Sequence, residues 1–137
     1  MLQTLPLLAL SLVLYALLSL LAGEASVPWY DVPSLQMQLI SGEVWQISRG
    51  DLFLTFSMVL LFVEIIRATR SGSASVMNHA FSVLVFIVAL LLFITTRGFG
   101  NSVFFLYTAM TLLDFMAGFI ITTVTARRDL AFGRPEI

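Results

Sequence analysis

Four long apolar runs dominate the chain, and most of its few charged residues lie between them. A bilayer core about 30 Å thick requires roughly 20 helical residues to cross it. Two of the runs have only 15 residues, but their small and polar flanking residues can extend them to full spans. We therefore predict an all-α membrane protein, a four-transmembrane-helix bundle that forms one integral membrane domain over residues 1–137. The runs are Leu5–Leu21, Leu52–Ile66, Ala80–Ile94 and Val103–Val124, and the predicted spans cover about 4–23, 51–69, 75–96 and 102–126.

The composition agrees with this fold class and excludes several kinds of function. Hydrophobic residues make up 59% of the 137 residues and charged residues only 11%, whereas soluble domains average about 25% charged residues. The absence of cysteine removes disulfides, thiolate catalysis and cysteine-ligated metal centres. A net charge of −1 gives no electrostatic basis for binding nucleic acid. The lipid bilayer is the first partner that this sequence predicts.

The arginines predict the orientation, because cytoplasmic loops of membrane proteins carry an excess of basic residues. All seven basic residues are arginine, which favours a GC-rich bacterial genome and hence a bacterial inner membrane. Five of the seven lie in the second connection and the C-terminal tail, so we expect both termini in the cytoplasm and residues 24–50 outside it. We expect the first run to be a retained span rather than a cleaved signal, because no Lys or Arg precedes it. The predicted outer side carries Arg49 and Arg97, and the cytoplasmic side carries Arg67, Arg70, Arg127, Arg128 and Arg134.

The outward segment divides into an aromatic part and an alternating part. Residues Val27–Pro33 contain two prolines, Trp29 and Tyr30, which is typical of an ordered crossing at the headgroup level. Leu35–Leu39 alternates with period two, and Val44–Ile47 follows after Ser41 and Gly42, which predicts a small extracytoplasmic β-hairpin. The hairpin is interpreted as a lid over the bundle, as a docking surface or, failing strand pairing, as an amphipathic interfacial helix. The interaction candidates are Trp29, Tyr30 and Trp45.

Asp114 is the clearest intramembrane polar candidate, because it lies midway along the fourth run and a charge there is expensive. Small and hydroxylated residues recur with it at steps of three and four, which is typical of a helix–helix interface in lipid. We expect Asp114 to face other helices and to bond a hydroxyl such as Ser57 or Thr111. This threonine stripe comprises Thr108, Thr111, Asp114, Phe115, Gly118, Thr122 and Thr125.

The second and third runs have polar faces of their own. Ser57 and Glu64 are seven residues apart and share one face, and Glu64 lies three residues before Arg67. We interpret Glu64 and Arg67 as a pair that anchors the helix at the cytoplasmic surface. His79 is the only histidine, and we expect a hydrogen-bonded residue near the depth of Glu64 rather than a haem or chlorophyll ligand. The third run also carries a packing seam of Ser75, Ser82, Ala89 and Thr96.

Three function classes stay open, and we expect no catalytic, cofactor-binding or metal site, since no corresponding motif occurs. The first is a non-catalytic accessory, assembly or scaffold subunit that binds other membrane subunits or itself. The second is an oligomeric small transporter or channel component that uses Asp114 and the threonine stripe. The third is a membrane enzyme or redox subunit that uses Glu64, His79 and Asp114, whose depths do not converge on one reacting atom.

Overall fold

The computed structural model describes residues 5–69 and 73–132, with the side chains of all of these except 73–76, 125 and 128–132. Within these residues the chain forms four α-helices, one short 3-10 helix and one two-stranded antiparallel hairpin between the first two α-helices. The mostly helical fold with this hairpin was predicted from the sequence and is confirmed. The elements are α1 (Leu7–Ala22), the 3-10 helix (Trp29–Asp31), β1 (Pro33–Gln38), β2 (Val44–Ser48), α2 (Arg49–Ala68), α3 (Ser73–Thr95) and α4 (Ser102–Phe132).

Two of the described helices are long and apolar enough to cross a membrane, over Met77–Thr95 and Ser102–Val124. The helix α1 is equally apolar but has 16 residues, and α2 carries charged residues towards both of its ends. The helix α4 continues to Phe132, beyond the predicted end near residue 126. The sequence explains this extension, because no glycine or proline occurs between Gly118 and Gly133 to end the helix.

Side-chain caps fix where α2 and α4 begin. Ser48 and Asp51 form a capping box at α2, in which the Ser48 hydroxyl accepts from the Asp51 N–H and the Asp51 carboxylate accepts from the Ser48 N–H. Asn101 caps α4, since its Oδ1 accepts from the Phe104 N–H at 3.0 Å.

The helices pack so that α4 contacts both α2 and α3, while α1 contacts α2 and α3 as well. At the end of the bundle near the hairpin, Tyr15 lies at the centre of an aromatic cluster. Its ring centroid lies 4.6 Å from that of Phe104 and 5.1 Å from that of Trp29. The Tyr15 hydroxyl accepts from Asn101 and donates to the Gly98 carbonyl, so the cluster connects α1 with the α3–α4 turn. The remaining members are Phe53, Phe99 and Tyr107.

The hairpin has the register that its sequence alternation predicted. Met37 pairs with Trp45 and Leu35 with Ile47, so these apolar side chains share one face. The turn closes through the Leu39 N–H donating to the Glu43 carbonyl, and Gly42 adopts a φ of 89° there, which glycine tolerates without strain. All six residues of β1 are exposed. The alternative of an interfacial helix is therefore wrong for this segment.

Most described residues of the packing seams are buried, whereas Thr96, Phe115 and Thr122 are half-buried. Ser82 and Ala89 of α3 are buried, and so are Ser57 and Glu64 of α2. The threonine stripe of α4 is buried at Thr108, Thr111, Asp114 and Gly118. Other residues used in the sequence analysis lie outside the described residues or side chains: Arg70, Ser75, Thr125, Arg128 and Arg134.

Candidate functional site: a polar cluster inside the bundle

Glu64 lies in the interior of the bundle, with only 1% of its surface exposed. Its Oε1 accepts a hydrogen bond from Asn78 Nδ2 at 2.6 Å, and its Oε2 accepts from the backbone N–H of Leu7. The first N–H groups of a helix lack intrahelical partners, so this carboxylate satisfies one of those of α1. The interpretation of Glu64 as an anchor at the cytoplasmic surface is wrong, because its side chain is buried. Arg67 lies one turn further along α2 and is half-buried.

Asp114 faces the other helices, as its stripe predicted, and is 5% exposed. Its carboxylate lies near enough to the Ser82 side chain on α3 and to Glu64 to interact with both, while the Ser82 hydroxyl donates to the Asn78 carbonyl at 3.3 Å. The expected hydroxyl partners were Ser57 and Thr111, and this part of the prediction is wrong. Thr111 donates to the Thr108 carbonyl of its own helix at 2.7 Å. The two buried carboxylates therefore belong to one cluster that links α1, α2, α3 and α4.

Several buried atoms of this interior lack a hydrogen-bond partner. Within residues 5–69 and 73–132 these are Ser11 Oγ, Ser57 Oγ, Asn78 Oδ1 and His79 Nε2. Buried polar atoms are almost always satisfied in folded proteins, by protein groups or by ordered water. Ser11 and Ser57 each face inward from a helix that also contributes a cluster contact, through Leu7 and Glu64. The interior thus has capacity for further polar partners.

His79 contributes packing rather than a hydrogen bond to Glu64. Its imidazole stacks on Phe115 with ring centroids 5.9 Å apart. A Cβ at Gly118 would collide with this ring, so the glycine is what allows α3 and α4 to approach here. The expectation of a hydrogen-bonded histidine is not met at Nε2, a buried atom that has no partner in the described part of the chain. The contact with Glu64 comes from the preceding residue, Asn78.

The three outward candidates have different environments. Trp29 is buried in the aromatic cluster, and its indole N–H donates to Ser19 Oγ at 3.0 Å, so it serves the core rather than a partner. Tyr30 is half-buried against α2, where its carbonyl lies beside Gly50. Trp45 is 51% exposed on the hairpin. Of the three, Trp45 is therefore the one available for binding.

Sequence reasoning missed the residues that complete the cluster. Asn78 and Ser82 are four residues apart on α3, which places them on one helix face, but neither was assigned to a carboxylate. The seven-residue repeat through Ser82 was the available signal for its burial. Among the described residues, no group of three His, Cys, Asp or Glu side chains is placed to hold a metal ion.

No known protein family, curated protein or solved structure shows a significant match to the chain.

Proposed function

We propose that this protein is a non-catalytic integral membrane protein that acts as an accessory, assembly or scaffold subunit of a larger membrane complex. The membrane location is supported by the surface of its helices. Only 17% of the apolar 18-residue stretch within Met77–Thr95 is buried inside the structure, and 39% of the corresponding stretch within Ser102–Val124. Large apolar side chains such as Leu20, Phe62, Ile94 and Phe119 are more than half exposed. Lipid would cover such a surface, whereas soluble monomers rarely expose it.

We further propose that all four helices cross a bacterial inner membrane with both termini in the cytoplasm. The distribution of arginines supports this orientation, since five lie on the side of the α2–α3 connection and the C-terminal tail. The hairpin then faces outward. The capped start of α2 at Arg49 supports a sharp transition from the outer segment into the bundle.

The single observation that carries the accessory role is the exposed apolar face of the hairpin. Met37 and Trp45 lie opposite each other in the register, and about half of each side chain is exposed, 53% and 51%. Leu35 continues the same face at 55%. An isolated two-stranded hairpin is marginal in water, and Met and Trp are enriched in protein interfaces. The exposure favours a docking surface over a lid, and we propose another membrane subunit as the partner.

A pair of matched double variants tests this role. Met37→Ser with Trp45→Ser removes the apolar face, and Gln36→Ser with Gln46→Ser changes the opposite face at neighbouring register positions. We expect the first variant to lose a membrane subunit that co-purifies in mild detergent, because its docking face is gone. The second variant should retain that subunit. Retention by both variants, or no stoichiometric subunit with the wild type, would refute the accessory role.

A second candidate function rests on the interior of the bundle. Two carboxylates and the unpartnered oxygens of Ser11, Ser57 and Asn78 lie inside it, and intramembrane polar groups commonly mark ion or proton routes. An oligomeric transporter or channel component would use Asp114 and the threonine stripe. A proton or cation flux in proteoliposomes that Asp114→Asn abolishes would support this alternative.

A further inference from the structure

A groove of about 460 Å³ lies between the outer half of α1 and the first turns of α2, and it is open along one side. Its walls run from Leu14 to Ala22 on α1 and include Phe53 and Phe56 on α2, and Trp29 also lines it. Leu14 and Ala22 are separated by about 12 Å along the helix axis. Arg49 is the one charged residue among those that line the groove. The groove is thus apolar except for a single cation in its lining.

We propose that this groove binds one anionic phospholipid, with an acyl chain along α1 and the phosphate on Arg49. The inference rests on the proposed membrane location, which would put hydrocarbon beside the groove. The volume lies within the roughly 300–1,000 Å³ of small-molecule sites. The planar guanidinium of arginine matches phosphate oxygens in bidentate geometry. The Asp51 carboxylate near it is engaged by the N–H and hydroxyl of Ser48.

The backbone around the groove is held in place before any lipid binds. The Arg49 N–H donates to the Val32 carbonyl at 3.0 Å. A Cβ at Gly50 would lie 2.8 Å from the Tyr30 carbonyl oxygen, so the chain passes closely there. Trp29 is fixed by its hydrogen bond to Ser19. A preformed site loses little conformational freedom on binding, which favours one bound lipid over a mobile lipid layer.

The test compares lipid retention by native mass spectrometry after purification in mild detergent with phosphatidylglycerol or phosphatidylcholine. We expect the wild type to retain one phosphatidylglycerol in preference to phosphatidylcholine. Arg49→Gln should reduce that preference about tenfold, as expected for loss of a charge-assisted hydrogen bond. Arg97→Gln is the matched control, because Arg97 is exposed on the same predicted side but does not line the groove.

Two further arms separate the possible outcomes. Ala22→Phe should occlude the groove and lower retention of both lipids, and inorganic phosphate should not displace the bound lipid. Equal retention by wild type and Arg49→Gln, or equal losses in Arg49→Gln and Arg97→Gln, would overturn the proposal. Failure of the chain to fractionate with membranes would instead refute the membrane location. Failure of the hairpin variants to lose a subunit would bear on the accessory role alone.

Discussion

At the scale of single residues, variants of Asp114 distinguish a structural role of the bundle interior from a role in transport. We expect Asp114→Asn to preserve folding and partner binding, because an amide can replace the carboxylate towards Ser82. Asp114→Leu should weaken the bundle by about 1–3 kcal/mol, because it removes the buried carboxylate beside Ser82 and leaves that hydroxyl only its 3.3 Å contact with the Asn78 carbonyl. Thermal unfolding in detergent and co-purification of the partner subunit measure both effects.

The control for these variants is Leu113→Ala, since Leu113 is exposed on the outer surface of the same helix. It should change neither partner binding nor the interior. A folded Asp114→Asn protein that keeps its proposed partner but loses a proton or cation flux that the wild type shows in proteoliposomes would contradict the structural role. It would favour the transporting alternative instead.

Single residues also show how much of the buried cluster could be predicted from the sequence. The burial of Asp114 was predictable, because helical spacing alone assigns residues to one face. Its partner was not, because Ser82 lies on another helix, 32 residues earlier, and the rotation of α3 against α4 decides which hydroxyl it meets. The rotation of α3 also decides whether Asn78 or His79 contacts Glu64 of α2, because these neighbours in sequence lie about 100° apart around the helix. Trp29 was misjudged because aromatic residues in an interfacial segment serve both cores and partners.

At the scale of elements, the junction between β2 and α2 depends on one serine. Ser48 ends the strand, pairs with Pro33 and caps the helix through the Asp51 N–H at 3.1 Å. We expect Ser48→Ala to lower the free energy of unfolding by about 1 kcal/mol, the usual cost of a lost N-cap. Ser41→Ala in the hairpin turn is the control, because its hydroxyl accepts only a long 3.5 Å contact from the Glu43 N–H. Equal stability of both variants in denaturant titrations would contradict this role.

The elements themselves were largely predictable, because their signals are local. Period-two alternation and a Ser-Gly turn were sufficient for the hairpin, and apolar length was sufficient for the positions of the helices. The end of α4 was not, because a hydropathy pattern indicates where an apolar stretch stops rather than where helical hydrogen bonding stops. The exposure of the hairpin could not be predicted either, since alternation identifies an apolar face without identifying what covers it.

At the scale of the whole molecule, the proposed topology makes a direct prediction. A cytoplasmic reporter fused after Ile137 should be active, because five of the seven arginines lie on that side. A periplasmic reporter inserted at Gly42 should be active in the same chain, because the hairpin would face outward. Activity of a periplasmic reporter at Ile137 would reverse the orientation, and activity of cytoplasmic reporters at both positions would exclude an outward hairpin.

The contacts of Glu64 impose an order on the biogenesis of the bundle. The N-terminal end of α1 is held by a carboxylate that is synthesised 57 residues later, and that carboxylate meets its second donor only after a further 14 residues. During translation α1 therefore leaves the ribosome well before the groups that fix it exist. Because α2 packs more extensively on α1 than on α3, we expect α1 to settle against α2 once Glu64 has emerged, and α3 to add its Asn78 contact afterwards. Until Glu64 has emerged, the insertion machinery or a partner subunit would have to bind α1, whose N-terminus still lacks its contact with Glu64.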